Sequence, residues 1–301
     1  MKKPLLLGVV ASFFFAFTFI LNRSMNLWGG HFLWSASLRY IFMLPMLVLM
    51  LAPKKQTGAV YASIKKDPVF WLLYSTIGFG FFYFFVTLAS VFGESWLVAA
   101  LWQLTIVCGM LLTPLFGMPL PKKPLFFSVL IIVGVFLLQI ENATTVRIAG
   151  SIMALLSILI AAFSYPLGNR KMMEKVGEEL TTIQRVFGMT VMSMPFWLIV
   201  SLVAWSQAGL PSPGQLTQSF FVALFSGVIA TVLFFQATDL VKKNPVQLGV
   251  IEATQCGEVI FTFLIGVLVL KDPAPQAIGI IGLVLIIVGM ILCAMAGEGE
   301  E

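Results

Sequence analysis

Charge is what this sequence has least of. Its 301 residues carry 18 Lys plus Arg and 13 Asp plus Glu, only 10% charged, where a soluble domain carries about 25%. Such a chain cannot cover a folded surface in water, which excludes an ordinary soluble domain. Histidine is nearly absent: His31 stands alone, with no partner for a catalytic triad. Cysteine is scarce as well. Cys108, Cys256 and Cys293 lie within apolar runs, show no metal-ligand spacing, and are odd in number, which excludes a complete disulfide framework. Phosphate and nucleophile motifs are missing too. Gly93-Glu94-Ser95-Trp96-Leu97 breaks the G-x-S-x-G nucleophile pattern. No Walker loop occurs to couple ATP, and no paired aspartates of the prenyltransferase kind occur. The expectation is therefore a non-enzyme with no cofactor and no metal.

What is present is hydrocarbon. The chain is 59% hydrophobic, with a mean hydropathy of +1.01, 28 phenylalanines and 15 methionines. Apolar runs separated by charged or Pro/Gly punctuation predict ten spans, near 4–22, 32–52, 69–91, 95–117, 124–140, 147–169, 181–205, 217–239, 245–270 and 275–296. The opening run reads as a first span and not as a cleaved signal, because Asn22-Arg23 follows it where a small-residue cleavage site would stand. The loops then sort by charge. One side collects thirteen basic residues (Lys2, Lys3, Lys54, Lys55, Lys65, Lys66, Lys122, Lys123, Arg170, Lys171, Lys175, Lys242, Lys243), the other only Arg23, Arg147 and Lys271. The first side is expected to be cytoplasmic, with both termini inside a bacterial inner membrane. Glu298, Glu300 and Glu301 read as a solvated acidic tail, and His31 as a solvated loop residue.

The two halves resemble each other. Ala16-Phe17-Thr18 with Asn22-Arg23 recurs as Ala162-Phe163-Ser164 with Asn169-Arg170, at offsets of 146 and 147, and Arg39 recurs as Arg185 at 146. Phe84-Phe85 matches Phe234-Phe235 at 150, Gln103 matches Gln255 and Pro121 matches Pro273 at 152, and Ile131 to Gly134 matches Ile286 to Gly289 at 155. From Arg39 onward the offset grows from 146 to 155 along the chain, as loop insertions require. Five spans per half is an odd number, so the second half enters the membrane from the opposite side. The expected architecture is an all-α membrane protein of ten helices, two inverted five-helix repeats (1–145 and 146–301) around a central cavity. Inverted repeats of this kind build transporters.

Ionisable groups inside spans cost about 2.5–3.5 kcal/mol each on insertion scales, so each needs a reason. Four stand out: Arg39, Arg185, Glu252 and Glu258. Counting from Pro245, Glu252 falls about 10 Å and Glu258 about 20 Å into the ninth span at 1.5 Å per residue. Gln255 sits between them, so all three are expected to face a cavity or another helix. A buried carboxyl favours its neutral form and a nearby cation favours the charged one, so proton and cation compete for it. The alternative is structural: an ion pair of Glu258 with Arg39 or Arg185. Arg39 and Arg185, at matched places, read either as anion-binding groups or as helix ties. Gln103, the repeat partner of Gln255, together with Trp102 and Tyr83, is expected to line the cavity, with Trp96 and Phe82 as further aromatic walls. Pro45 and Pro166-Leu167-Gly168 are candidate kinks.

Gly8 to Arg23, Ser37-Leu38-Arg39-Tyr40 and Arg185 resemble the drug/metabolite transporter superfamily of the EamA-like, ten-helix kind. Phe19 to Met25, Trp34 to Arg39 and Trp96-Leu97-Val98-Ala99 are similar to the bacterial group called "putative multidrug resistance efflux transporters". The resemblance covers essentially the whole chain. It implies a cavity enclosed by the first four helices of each half, with the fifth of each outside. It also implies small-molecule export, with substrates that vary across the superfamily. One departure matters: the four-helix members bind protons and drugs through a glutamate in their first helix, and the span at 4–22 holds no acid. The expected function is a proton-coupled secondary exporter of lipophilic or cationic drugs or metabolites, acting as a monomer or homodimer. An amino-acid or metabolite exchanger of the same fold is the alternative. A non-transporting membrane binding protein or a lipid flippase is the alternative of another class.

Overall fold

The computed structural model describes residues 2–145, 148–241 and 250–296. Arg147, Lys242, Lys243, the first residues of the span expected from 245, and Glu298, Glu300 and Glu301 lie outside the described residues. Within them the chain is helical throughout, without strands. Nine helices are long and apolar enough to cross a membrane. They are α1 (Lys2–Leu27), α2 (Phe32–Lys54), α4 (Pro68–Phe92), α6 (Lys122–Ala143), α7 (Ile148–Val176), α8 (Thr182–Ala208), α9 (Pro213–Thr238), α10 (Val250–Leu270) and α11 (Ala277–Ala296). A shorter apolar helix, α5 (Ser95–Leu111), makes the tenth. It stops earlier than the 95–117 expected, because Pro114 and a left-handed Gly117 (φ 72°) turn the chain out of the helix. One helix was not anticipated: α3 (Thr57–Lys66), a short basic-ended segment anchored by the buried Val60. His31 is half-buried, not free in solvent, and its carbonyl accepts a hydrogen bond from Gln215 Nε2 at 2.8 Å.

Local chemistry sets the helix starts. Asp67 accepts from the Phe70 N–H with Pro68 in the first turn, and Ser212 accepts from the Gln215 N–H with Pro213 in the first turn. Proline suits this position because its missing N–H is an orphan there anyway. Thr181 and Gln184 form a reciprocal capping box at the head of α8. Leu49, Phe126, Phe136, Leu198, Leu202 and Leu268 stand exposed around the bundle. Only lipid accepts so continuous an apolar belt.

The helices interlock across the midpoint of the chain. α1 packs on α9 and α10, and α7 packs likewise on α4 and α5; α2 packs on α8, and α6 on α11. Wide π-helical turns occur at Thr76–Phe81 in α4 and at Ala223–Ala230 in α9. The α6–α11 pair is the most extensive helix contact, and it depends on backbone-to-backbone approach. A Cβ added at Gly134 would lie 2.5 Å from the Gly282 carbonyl oxygen and 2.7 Å from Ile286 Cγ1. Small residues that admit such approach drive helix association in lipid, where no hydrophobic effect acts between helices.

Gly134→Leu should therefore destabilise the purified protein by at least the 1–3 kcal/mol typical of overpacking, read as a fall in the thermal midpoint in detergent. Gly58→Ala, where a Cβ meets open space, should leave the midpoint nearly unchanged. Equal midpoints for Gly134→Leu and wild type would contradict this packing.

Candidate functional site

Two of the spans are not continuous helices. α5 breaks at Gln103, whose N–H bonds back only three residues, to Ala100 O at 3.2 Å, while Ile106 bonds to Gln103 O at 3.1 Å. α10 tightens in the same way. Thr254 bonds to Ile251 O, Gln255 to Glu252 O, Gly257 to Thr254 O and Glu258 to Gln255 O, at 2.9–3.0 Å. Thr254 Oγ1 also donates to its own helix at Ile251 O, 2.6 Å away. Helix α1 presses on this turn: a Cβ at Gly257 would lie 2.5 Å from Ser12 Oγ, and one at Gly8 would lie 2.6 Å from Thr254 Oγ1. Without small residues at both places, α1 could not approach.

Both breaks border one cavity of about 740 Å3, within the range of small-molecule sites. Helices α1, α2, α4, α5, α7, α9 and α10 all contribute walls. Of the residues expected to form a site, the cavity brings together Glu252, Gln255, Glu258, Gln103, Trp102 and Arg39. Glu258 is buried (6% exposed), with Gln103 in the same cavity wall. Gln103 Nε2 also donates to Ala99 O at 3.0 Å. Glu252 is exposed and lines the same cavity. The ion pair of Glu258 with Arg39 or Arg185 is not formed: among the described residues no basic nitrogen lies within 4.0 Å of Glu258. Arg39, 7% exposed, donates from Nη1 to Thr18 Oγ1 at 3.3 Å and from Nη2 to Ser226 Oγ at 3.1 Å. Two donors in the cavity wall are buried and unpartnered, Arg39 Nε and Gln255 Nε2.

Three of the residues singled out lie elsewhere. Tyr83 is fully buried behind Arg39: its ring carries the guanidinium at 4.2 Å, and its hydroxyl accepts from Asn22 Nδ2 at 3.0 Å. Arg185 does not mirror Arg39. It sits in the first turn of α8 and donates to the carbonyls of Leu180 (3.1 Å) and Gly177 (3.4 Å), closing the α7–α8 turn. The matched sequence offset placed the two at equal depth. But the α8 helix starts only three residues before Arg185, whereas α2 starts seven residues before Arg39. Trp96 is also remote, at the opposite end of the bundle. The cavity gains walls that sequence reasoning missed. Tyr165, beside the Pro166 kink, closes an aromatic triad with Phe82 (4.8 Å between centroids) and Trp102 (5.6 Å). Phe82 and Trp102 themselves stand 5.0 Å apart. Proximity to Pro166 was the only signal for Tyr165.

The ends of the cavity differ. Its lining runs out through Thr113, Pro121, Pro124, Asn169, Arg170 and Ala294, beside the basic helix ends that carry Lys122 and Lys123 on α6 and Lys171 on α7. The opposite end is sealed. Arg23 Nε pairs with Asp272 Oδ1 at 3.2 Å, and Asp272 Oδ2 accepts from Ser95 N at 3.0 Å and Ser95 Oγ at 2.6 Å. Trp96 Nε1 donates to Pro273 O at 3.0 Å. Glu141 accepts from the N–H groups of Gln276 (2.7 Å) and Gly279 (2.6 Å), capping α11. Burial in this seal pushes the Glu94 carboxyl up from its ordinary value, with Arg23 opposing the shift.

The sequence matches the model of the EmrE family, "Putative multidrug resistance efflux transporter", over residues 2–298. It is 45% identical to "Uncharacterized protein YjlA" of Bacillus subtilis (strain 168), covering 99% of this chain and 96% of the relative. It is 43% identical to "Uncharacterized 42.1 kDa protein in intracellular alkaline protease 3'region" of Shouchella clausii, covering 85% of this chain and 70% of the relative.

The seal is testable. Each charged hydrogen bond lost costs about 1.5–3 kcal/mol, so Asp272→Asn should shift the population toward an unsealed form by roughly tenfold or more. In a variant with Cys108, Cys256 and Cys293 replaced and Thr18→Cys added as a cavity reporter, Asp272→Asn should raise labelling by an impermeant maleimide applied at the sealed end. Unchanged labelling would remove Asp272 from the seal.

Proposed function

We propose that this chain, which belongs to the family of multidrug resistance efflux transporters, exports a small molecule in exchange for protons by alternating access, with Glu258 as the proton carrier. The observation that carries the reading is the pair of broken helices: α5 at Gln103 and α10 at Gln255 open onto one cavity with a buried carboxyl between them. In a bilayer, irregular backbone is tolerated only where protein or a water-filled cavity satisfies it, and discontinuous helices mark transporter binding sites.

The two five-helix units, residues 1–145 and 146–301, are inverted repeats on this reading. The reciprocal packing of α1 on α9–α10 and of α7 on α4–α5 supports it, as do the paired wide turns in α4 and α9. The basic end is cytoplasmic by the positive-inside rule, with both termini on that side of a bacterial inner membrane. The cavity then faces the cytoplasm, and the Arg23–Asp272–Ser95 seal closes the outer end. Exchanging the conformations of the two units would open that seal and close the inner mouth.

Glu258 couples the two fluxes by exclusion. It accepts a proton when the cavity is open outside and releases it inside as substrate binds beside the carboxylate. The two ligands exclude each other from the carboxyl, and antiport follows when the empty, unprotonated form does not change sides. Glu252, exposed nearer the mouth, hands protons and polar groups inward.

In proteoliposomes with an imposed pH gradient, lumenal pyranine should report proton flux evoked by members of a panel of aromatic amines, quaternary ammoniums and amino acids. Glu258→Gln should lower gradient-driven flux at least a hundredfold with little change in thermal midpoint, and Glu252→Gln should lower it less. Gradient-driven flux at wild-type level in Glu258→Gln would overturn the coupling.

A further inference from the structure

We infer that the cavity is built for a zwitterion with an apolar body: its anionic group on Arg39, its ammonium beside Glu258, and its hydrophobic part on the Phe82–Trp102–Tyr165 wall. The inference rests on the exporter reading for what the cavity is for, and binding tests it separately from transport.

Arg39 carries the argument. Its guanidinium is buried in the cavity wall, yet its only hydrogen-bond partners among the described residues are two neutral hydroxyls, on Thr18 of α1 and Ser226 of α9. Nε has no partner, and no carboxylate lies within 4.0 Å of the guanidinium among the described residues. One face rests on the Tyr83 ring, which orients the plane and satisfies no N–H. A structural arginine at such depth would normally be paired, because a buried charge without a counter-charge is unfavourable. Here each Nη makes one hydrogen bond, to hydroxyls from two different helices, and Nε, although buried, makes none. A carboxylate arriving in the cavity could displace a hydroxyl and accept two parallel hydrogen bonds, the geometry for which the guanidinium fork is suited.

Glu258 supplies the opposite sign. It stands on α10 and lines the same cavity as Arg39 without an ion pair between them, with Gln103 in the same wall. Phe82, Trp102 and Tyr165 line that cavity too, so the aromatic wall and the two charged groups border one space. A ligand of one sign cannot use this arrangement. A simple cation satisfies Glu258 but leaves Arg39 unpaired and repelling it, and a simple anion does the reverse. A zwitterion meets both charges, and its apolar body covers the rings. Sites built to hydrogen-bond a ligand group discriminate strongly against analogues that lack it.

The test uses the purified full chain in nanodiscs and two matched series, each of one amino acid, its decarboxylated amine and its deaminated acid: phenylalanine, phenethylamine and 3-phenylpropionate, then tryptophan, tryptamine and 3-indolepropionate. Binding is read by thermal stabilisation and by radioligand displacement. In at least one series the zwitterion should bind ten or more times tighter than either analogue. Arg39→Gln should reduce the zwitterion to the affinity of its amine while leaving the amine unweakened. Arg39→Lys, which keeps the charge and loses the fork, should fall between. A purely structural Arg39 would weaken all three members together, and that result overturns the inference. So does an amine that matches the zwitterion in wild type, or no zwitterion binding in either series at millimolar concentration. If the preference holds but a pH gradient moves none of the bound compounds, the exporter reading fails and the binding inference stands.

Discussion

Everything in this molecule depends on how it satisfies backbone groups without water. A polar N–H or C=O left open in hydrocarbon costs several kcal/mol, so an unbroken helix is the default for every span. Helices α5 and α10 depart from that default at Gln103 and at Thr254–Glu258, where bonds close over three residues instead of four. The departure is affordable only because both breaks border the cavity and because α1 lies directly on the second one, through Gly8, Ser12 and Gly257. The same tightened turn directs Gln255 and Glu258 inward. Site and backbone irregularity are therefore one feature: the break creates the polar lining, and the cavity makes the break tolerable.

The asymmetry of the two ends follows from where charges are spent. Near the sealed end, Asp272 is fully used. It pairs with Arg23 and accepts twice from Ser95, tying α1, α5 and the α10–α11 turn at a single side chain. Near the open end, Arg170 reaches the Gly109 carbonyl at 2.6 Å and leaves the mouth unblocked. Breaking one cluster of charge-assisted bonds is a discrete event, unlike the gradual loosening of an apolar contact. A bundle closed this way has two states with few between, and alternating access requires that property. The α6–α11 pair takes no part in lining the cavity above its last turns, and its glycine-to-backbone contacts make it a rigid outer brace.

Much of this was legible in the sequence, and the failures are instructive. The spans were legible because Lys pairs and Pro/Gly punctuation bound the apolar runs, and Gln103 and Gln255 emerged as partners from a single offset of 152. That each glutamine sits at a helix break was not legible. No proline marks either break; Gly257 and Thr254 were the only local signs, and both are ordinary in membrane helices. Arg39 and Arg185 take different surroundings because alignment offset does not fix depth, and Arg185 is the helix tie that was one of its two readings. A capping box at Thr181 starts α8 late, so Arg185 falls in the first turn and spends its donors on loop carbonyls. Tyr83 was assigned to the cavity by its aromatic type, but the azimuth of a side chain on an apolar helix has no signature when every face is apolar. It turned out to support Arg39 from behind.

If the exchange is with protons, as proposed, the charge on the cargo also decides which part of the membrane's energy the protein can use. A monocation leaving in exchange for one proton moves no net charge, so only the pH gradient drives it, about 1.4 kcal/mol per pH unit. That supports about a tenfold gradient per unit. A zwitterion leaving for one proton is electrogenic, and the potential adds about 2.3 kcal/mol per 100 mV. Together, one pH unit and 100 mV support accumulation of about several hundredfold. By holding a fixed positive charge opposite Glu258, Arg39 repels the cargo that would forgo the potential and favours the cargo that exploits it. On this reading, one uncompensated guanidinium in the wall sets both the selectivity of the cavity and the thermodynamic reach of the exchange.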